Sequence, residues 1–216
     1  MIRTMIVDDQ AIVRTGMAMI LSVEDDITVV AEAEDGVQAV ALAARHRPDV
    51  VLMDIRMPRL DGLDALRALA RPGALDVPRV VMVTTFDDDE YVTRALQSGA
   101  CGFVLKDAGP RLLVEAVRAA AVGDSLISPA ITVRLLERMM RTPPPQGAET
   151  YLSPREFDVV RLVAQGLTNA EIAEALNITV GTVKTHLTNI QAKLSARNRV
   201  EVAVWAWRNG YAHHET

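Results

Sequence analysis

The sequence predicts a doubly wound α/β domain of (βα)5 order followed by a small all-α domain of four helices. Three observations predict it. Five short aliphatic runs alternate with helix-period segments over the first 122 residues, the strand pattern ceases after Gly123, and Pro143, Pro144 and Pro145 interrupt the chain before a purely helical remainder.

Residues 4–7, 27–31, 50–53, 80–83 and 102–105 are rich in Val and Ile and apolar almost throughout. Strands apolar on both faces belong to parallel sheets covered by helices. The intervening segments, near 11–21, 37–45, 63–69, 88–97 and 111–122, carry apolar residues at helical spacing. Right-handed crossovers then give an open sheet whose site lies beyond the carboxyl ends of its strands. A short helical stretch is expected at 130–140. The prolines favour an extended, semi-rigid spacer, so the expected division is 1–122, a linker over 123–150, and 151–216. In the last part Ser153-Pro154-Arg155-Glu156 and Thr168-Asn169-Ala170-Glu171 read as capping boxes, Gly166 as a helix stop, and Thr179 as the cap of a third helix.

At 216 residues, with 50% hydrophobic and 24% charged residues, the composition is that of an ordinary globular protein and excludes global disorder. No apolar run approaches the 18 or so residues of a membrane span, and the opening run turns acidic at Asp8 before a signal-peptide core develops. A cytoplasmic location without a membrane partner is expected. Cys101, the single cysteine, reads as a reduced structural thiol. The net charge of −5 is uneven: residues 1–150 hold 16 basic and 22 acidic side chains, 151–216 hold 7 and 6. Residues 179–200 contain Lys184, Lys193, Arg197 and Arg199 and no carboxylate, a local positive footprint that by itself equally fits solvated surface.

The first strand runs into Asp8-Asp9 and the third into Asp54, so a parallel sheet gathers three carboxylates on one edge. Like charges so close repel, and a divalent cation among them lowers the free energy. An oxygen-only set with open positions suits Mg2+, which commonly partners phosphate. Thr84 and Lys106 end the fourth and fifth strands on the same rim, supplying a hydroxyl and an ammonium beside an aspartate able to attack a phosphoryl group in line. Each residue alone is as readily a cap, a strand residue or a solvated charge; their shared position is what points to chemistry.

These motifs, Asp8-Asp9, Pro48 through Pro58 with Asp54 inside and Asp61-Gly62 following, Thr84, and Gly102-Phe103-Val104-Leu105-Lys106, make residues 1–122 resemble the receiver domain of two-component response regulators. The resemblance implies that Asp54 accepts a phosphoryl group from a sensor histidine kinase. Asp8, Asp9, Asp54 and the backbone carbonyl of Arg56 would hold Mg2+, Thr84 and Lys106 would contact the phosphoryl, and Thr84 with Phe103 would form a two-state switch. Phe103 lacks the hydroxyl of the tyrosine that many receivers carry there, which leaves a plain core aromatic as the alternative. Gln10 and Asp107 stand where related sequences often have His and Pro. The side chains of Arg56 and Phe86 would flank the phosphoryl.

In the third helix of the last part, Val183, Leu187, Ile190 and Leu194 form one core stripe, while Gly181, Thr185, Thr188, Asn189 and Ala192 lie opposite, flanked by Lys184 and Lys193. Such a face suits a major groove, and it also suits the outside of a small bundle. Leu152-Ser153-Pro154-Arg155-Glu156, the run from Gly166 to Ala173, the run from Gly181 to His186, and Lys193-Leu194 resemble the LuxR-type helix-turn-helix. Together the two halves resemble the NarL/FixJ response regulators. That implies Lys184, Thr185 and Thr188 at base edges of double-stranded DNA, Thr182, Asn189 and Lys193 near phosphates, and Val200, Ala203, Val204 and Trp207 of the last helix in a homodimer formed on phosphorylation or on DNA. His186 reads as packing or a phosphate contact. The expected protein is a phosphorylation-dependent transcriptional regulator that catalyses only its own phosphoryl transfer and dephosphorylation. The rival, an aspartate-dependent phosphotransferase or phosphatase turning over a small substrate, lacks a general acid: Arg56 stands two residues after Asp54 and Gln10 two after Asp8.

Overall fold

The computed structural model describes residues 1–70, 77–85, 89–127 and 152–211. The chain forms two compact units, Met1–Thr132 and Val133–Thr216. The expected helix at 130–140, the proline spacer and Phe86 lie outside the described residues, as does most of the expected linker.

The first unit is a five-stranded parallel sheet in the order β2-β1-β3-β4-β5, built from β1 (Ile2–Val7), β2 (Ile27–Ala33), β3 (Val50–Asp54), β4 (Arg79–Thr84) and β5 (Gly102–Leu105). Between and after the strands come α1 (Ala11–Ser22), α2 (Gly36–His46), α3 (Gly62–Leu69), α4 (Asp89–Gln97) and α5 (Pro110–Val122). Each expected strand and helix is present, with ends shifted by a residue or two. Strand alternation divides the core. Ile6, Leu52, Val81, Val83 and Val104 pack with Met17 and Leu21 of α1 and Leu113, Val114 and Val117 of α5. The alternate residues Met5, Val7, Val51, Met53, Met82 and Phe103 are equally buried on the other side. Complete burial of such side chains contributes about 1.5–3 kcal/mol each, which fixes the register: Val7 lies opposite Met53, Asp54 opposite Val83, and Thr84 opposite Leu105. The strand ends that carry chemistry are thereby levelled, around the point where the order reverses at β1.

The second unit contains α6 (Pro154–Ala164), α7 (Asn169–Leu176), α8 (Val180–Leu194) and α9 (Arg199–Arg208). Both capping boxes form: Ser153 with Glu156, and Thr168 with Glu171. Thr179 Oγ1 accepts from Thr182 N at 3.1 Å and starts α8, and Asn198 accepts from Glu201 N to start α9. Asn177 takes the left-handed conformation (φ 52°) that ends α7 and turns the chain into α8. Val159, Val160, Val163, Ile172, Val183, Leu187, Ile190, Val202 and Ala206 make the core. Among the described residues, no helix is long and apolar enough to cross a membrane.

Candidate functional site

Register and two loops build the acidic pocket. Asp8 follows β1 and Asp54 ends β3; both are buried, whereas Asp9 is exposed. One carboxylate oxygen from each of Asp8, Asp9 and Asp54 lies within 4.8 Å of the others. Lys106, one residue beyond β5, reaches across β4: its Nζ is 2.6 Å from Asp8 Oδ2 and 2.8 Å from Asp54 Oδ2. The remaining oxygens are held by the backbone, with Gln10 N donating to Asp8 Oδ1 (2.9 Å) and Ile55 N to Asp54 Oδ1 (2.7 Å). Burial pushes the Asp54 carboxyl above its ordinary value, and Asp8 adds to this, although Lys106 and the Ile55 amide pull the other way. Burial also works against the Lys106 ammonium, but its hydrogen bonds to Asp54 and Asp8 outweigh it and leave the pKa raised. A buried anion that one ammonium only partly compensates can be relieved by a further cation. Three clustered hard carboxylate donors, of which Asp9 lines an open cleft, fit a small divalent ion such as Mg2+.

The cleft is lined by Asp9, Ile55, Arg56, Met57, Pro58 and Asp61. The structure thus places Arg56, with an exposed side chain, on the wall beside the carboxylates. Thr84 is half-buried at the end of β4 and donates its hydroxyl to the Thr85 carbonyl (3.0 Å); its own carbonyl accepts from Lys106 N (2.8 Å). Phe103 is fully buried in β5, its amide bonded to the Leu126 carbonyl.

Sequence reasoning noted Gly62 without giving it a task. An added Cβ there would lie 1.9 Å from the Asp54 carbonyl oxygen, so only glycine lets α3 begin against the end of β3. Gly62 N also donates to the Ile55 carbonyl (2.9 Å), while Asp61 caps α3 by accepting from Asp64 N. Arg59, at φ 65°, pairs with Glu34 and with the buried Asp35, and Gly36 N donates to the Leu60 carbonyl (3.1 Å), tying the cleft loop to the start of α2. Arg14 donates to the Asp8 carbonyl (2.7 Å). The Asp61-Gly62 pair just after a strand end was the available signal; the Arg14 and Arg59 contacts join residues that no local pattern connects.

The second candidate site is the outer face of α8. Lys184, Thr185, Thr188 and Asn189 are exposed, as are Gly181 and Ala192, and Thr182 is half-buried near the helix start. Thr185 and Thr188 donate their hydroxyls to the carbonyls of Gly181 and Lys184 one turn back. Lys193 is exposed, and its ammonium lies 2.6 Å from the buried Glu156 carboxylate. His186 is half-buried beside the core stripe. On α9 the core residues are Val202 and Ala206; Val200, Ala203 and Val204 are half-buried and Trp207 is 47% exposed, its indole N–H donating to the Ala164 carbonyl. Ala203 packs against the core, so the expected dimer face is partly shared with the bundle. Cys101 is buried and its thiol is pushed up to about 12 by burial, as a structural thiol should be.

Comparison with known proteins agrees with this geometry. The response regulator receiver domain matches residues 4–118, and the luxR family of bacterial regulatory proteins matches residues 150–206. The chain is 38% identical over 209 residues to the transcriptional regulatory protein LiaR of Bacillus subtilis (strain 168), covering 97% of this chain and 98% of LiaR. It is 36% identical over 212 residues to the response regulator protein VraR of Staphylococcus aureus (strain NCTC 8325 / PS 47), covering 96% and 97%. Among solved structures, the response regulator ChrA of a heme-sensing two-component system superposes with a TM-score of 0.54 at 38% identity, over 97% of this chain and 98% of ChrA. A structure of RcsB dimers bound to DNA shares the fold at 23% identity and a TM-score of 0.57, over 96% and 98%. With carboxylates and lysine converged in a receiver sheet and a helix-turn-helix later in the chain, the chain belongs to the response regulators of two-component systems, as a DNA-binding transcriptional regulator with a receiver domain and a LuxR-type helix-turn-helix.

Proposed function

We propose that Asp54 accepts a phosphoryl group from a sensor histidine kinase and that this controls pairing of two copies and their binding to DNA. One observation carries the reading: Asp8, Asp9 and Asp54 offer oxygens within 4.8 Å of one another, with Lys106 Nζ 2.8 Å from Asp54. Asp8, Asp9, Asp54 and the Arg56 carbonyl would hold Mg2+, which when bound neutralises charge on the phosphoryl oxygens. Asp54 supplies the attacking oxygen: its bond to phosphorus forms as the donor's bond to phosphorus breaks, and the product is an acyl phosphate. Lys106, already between Asp8 and Asp54, swings little to meet the new anion, and the Thr84 hydroxyl, which donates to the neighbouring Thr85 carbonyl, turns toward it with Phe103 responding. The chain then acts on itself and not on a turned-over substrate, because no carboxylate stands two residues after Asp54 or Asp8.

On the DNA side, Lys184, Thr185 and Thr188 meet base edges and Thr182 and Asn189 lie near phosphates, while Val200, Val204 and Trp207, with Ala203, form the contact between two copies. Two copies read half-sites about one helical turn apart. Cytoplasmic location follows from the same reading. The direct test is labelling with acetyl phosphate and Mg2+, followed by mass spectrometry of the intact chain: one phosphoryl group is expected on the parent and none on Asp54→Asn. Persistent labelling of that variant would remove Asp54 from its role.

A further inference from the structure

Several cations of the second unit are paired within it. Arg155 donates to the Leu176 carbonyl at the end of α7 (2.5 Å), and Arg199 donates to Asn169 Oδ1 (3.1 Å) and to the Leu167 carbonyl at its start. Lys193, in the last turn of α8, lies 2.6 Å from Glu156 Oε2. Glu156 is 4% exposed, and the same oxygen accepts from Ser153 N at 2.6 Å to close the capping box of α6. A single buried carboxylate oxygen therefore joins the N-terminus of α6 to the C-terminus of α8. Lys184, by contrast, makes no ion pair among the described residues.

We propose that Lys193 is a positioning residue that sets the seating of α8 on the bundle through Glu156, and that it is not a contact to DNA phosphate. This rests on the reading of α8 as the DNA-reading helix. Two physical reasons carry it. A carboxylate at contact distance cancels the ammonium's field toward a phosphate. Withdrawing Lys193 would also leave a buried anion short of a partner, which is strongly unfavourable; the Lys193 ammonium indeed holds the Glu156 carboxyl below its ordinary value. The positive footprint read from residues 179–200 then loses Lys193 and keeps the exposed Lys184 and Arg197, the latter 4.0 Å from Glu201.

Salt dependence separates the two roles, because removing a cation that neutralises one phosphate lowers the slope of log affinity against log salt by about 0.9. The full chain would be titrated with a duplex recovered by selecting genomic fragments it binds, between about 50 and 200 mM salt, with tryptophan emission from Trp205 and Trp207 reporting that the second unit is folded. Lys184→Ala, which removes a base-edge contact, should weaken binding to the selected duplex roughly tenfold and to an unrelated duplex less. Lys193→Met and Glu156→Gln should each weaken binding several-fold at the parent slope, their double variant should be no weaker than the weaker single, and Lys193→Arg should restore affinity. If Lys193→Met fails to fold, the slope and affinity of Lys193→Arg and Glu156→Gln decide. A slope flattened by about 0.9 in Lys193→Met, or parent affinity in Glu156→Gln, would overturn the proposal. Parent affinity of Lys184→Ala for the selected duplex would take α8 off the DNA and the proposal with it, a failure distinct from the others.

Discussion

Replacing Gly62 by alanine places a methyl group where the backbone leaves no room. The new Cβ would meet the Asp54 carbonyl oxygen at 1.9 Å, the Asp54 carbonyl carbon at 2.9 Å and the Ile55 Cα at 3.1 Å. These are main-chain atoms of a strand buried on both faces, so no flexible side chain can move aside. Restoring ordinary contact requires a separation of roughly 1 Å or more between the end of β3 and the start of α3. Overpacking of this kind costs about 1–3 kcal/mol, and rigid neighbours on both sides put the expected destabilisation near the top, about 3 kcal/mol. For a domain of this size that lowers Tm by roughly 10 °C. The displaced group is the one that must attack, so labelling by acetyl phosphate should also slow by about a hundredfold, the usual consequence of a 1 Å misplacement. Calorimetry and timed mass spectrometry of the intact chain measure both. Gly16→Ala is the control, because nothing lies within 4 Å of its Cβ position; it should gain about 0.5–1 kcal/mol from α1 and label normally. A Gly62→Ala protein that melts with the parent and labels at the parent rate would refute the argument that close approach positions Asp54.

Other outcomes follow from the same geometry. Asn198→Ala removes a nearly buried cap that accepts from Glu201 N, so the second unit should be destabilised by about 1 kcal/mol, read by tryptophan emission in urea. Ser195→Gly relieves a left-handed residue (φ 54°) at the end of α8, and should raise stability by about 0.5–1 kcal/mol in the same assay. Glu156 has its carboxyl pKa held down first by Lys193; its contribution is therefore present above the ordinary carboxylate range and disappears as pH falls through the lowered folded value. Urea midpoints of the parent should drop across that acid window, and Glu156→Gln should show a shallower drop.

Much of the fold was legible because it rests on short-range patterns: runs buried on both faces, capping boxes at Ser153 and Thr168, and the change of period after Gly123. The pocket was legible for a related reason. Parallel pairing puts strand ends side by side, so Asp8, Asp54, Thr84 and Lys106 could be gathered from their positions along the chain. What the sequence concealed depends on distance across the fold. That Lys193 pairs with Glu156 needs the packing of α8 on α6, 37 residues apart, and the sequence showed only a lysine beside an exposed face. The α9 face shows the same limit: helical spacing grouped Val200, Ala203, Val204 and Trp207, but only packing shows that Val202 and Ala206 take the core.

The most direct measurement is the affinity of the full chain for a selected duplex in Mg2+, with and without acetyl phosphate, alongside Asp54→Asn. Tighter binding by the treated parent is expected, together with a shift from one copy to two, and no change in the variant. Equal affinity of treated and untreated parent, at demonstrated labelling of Asp54, would contradict it.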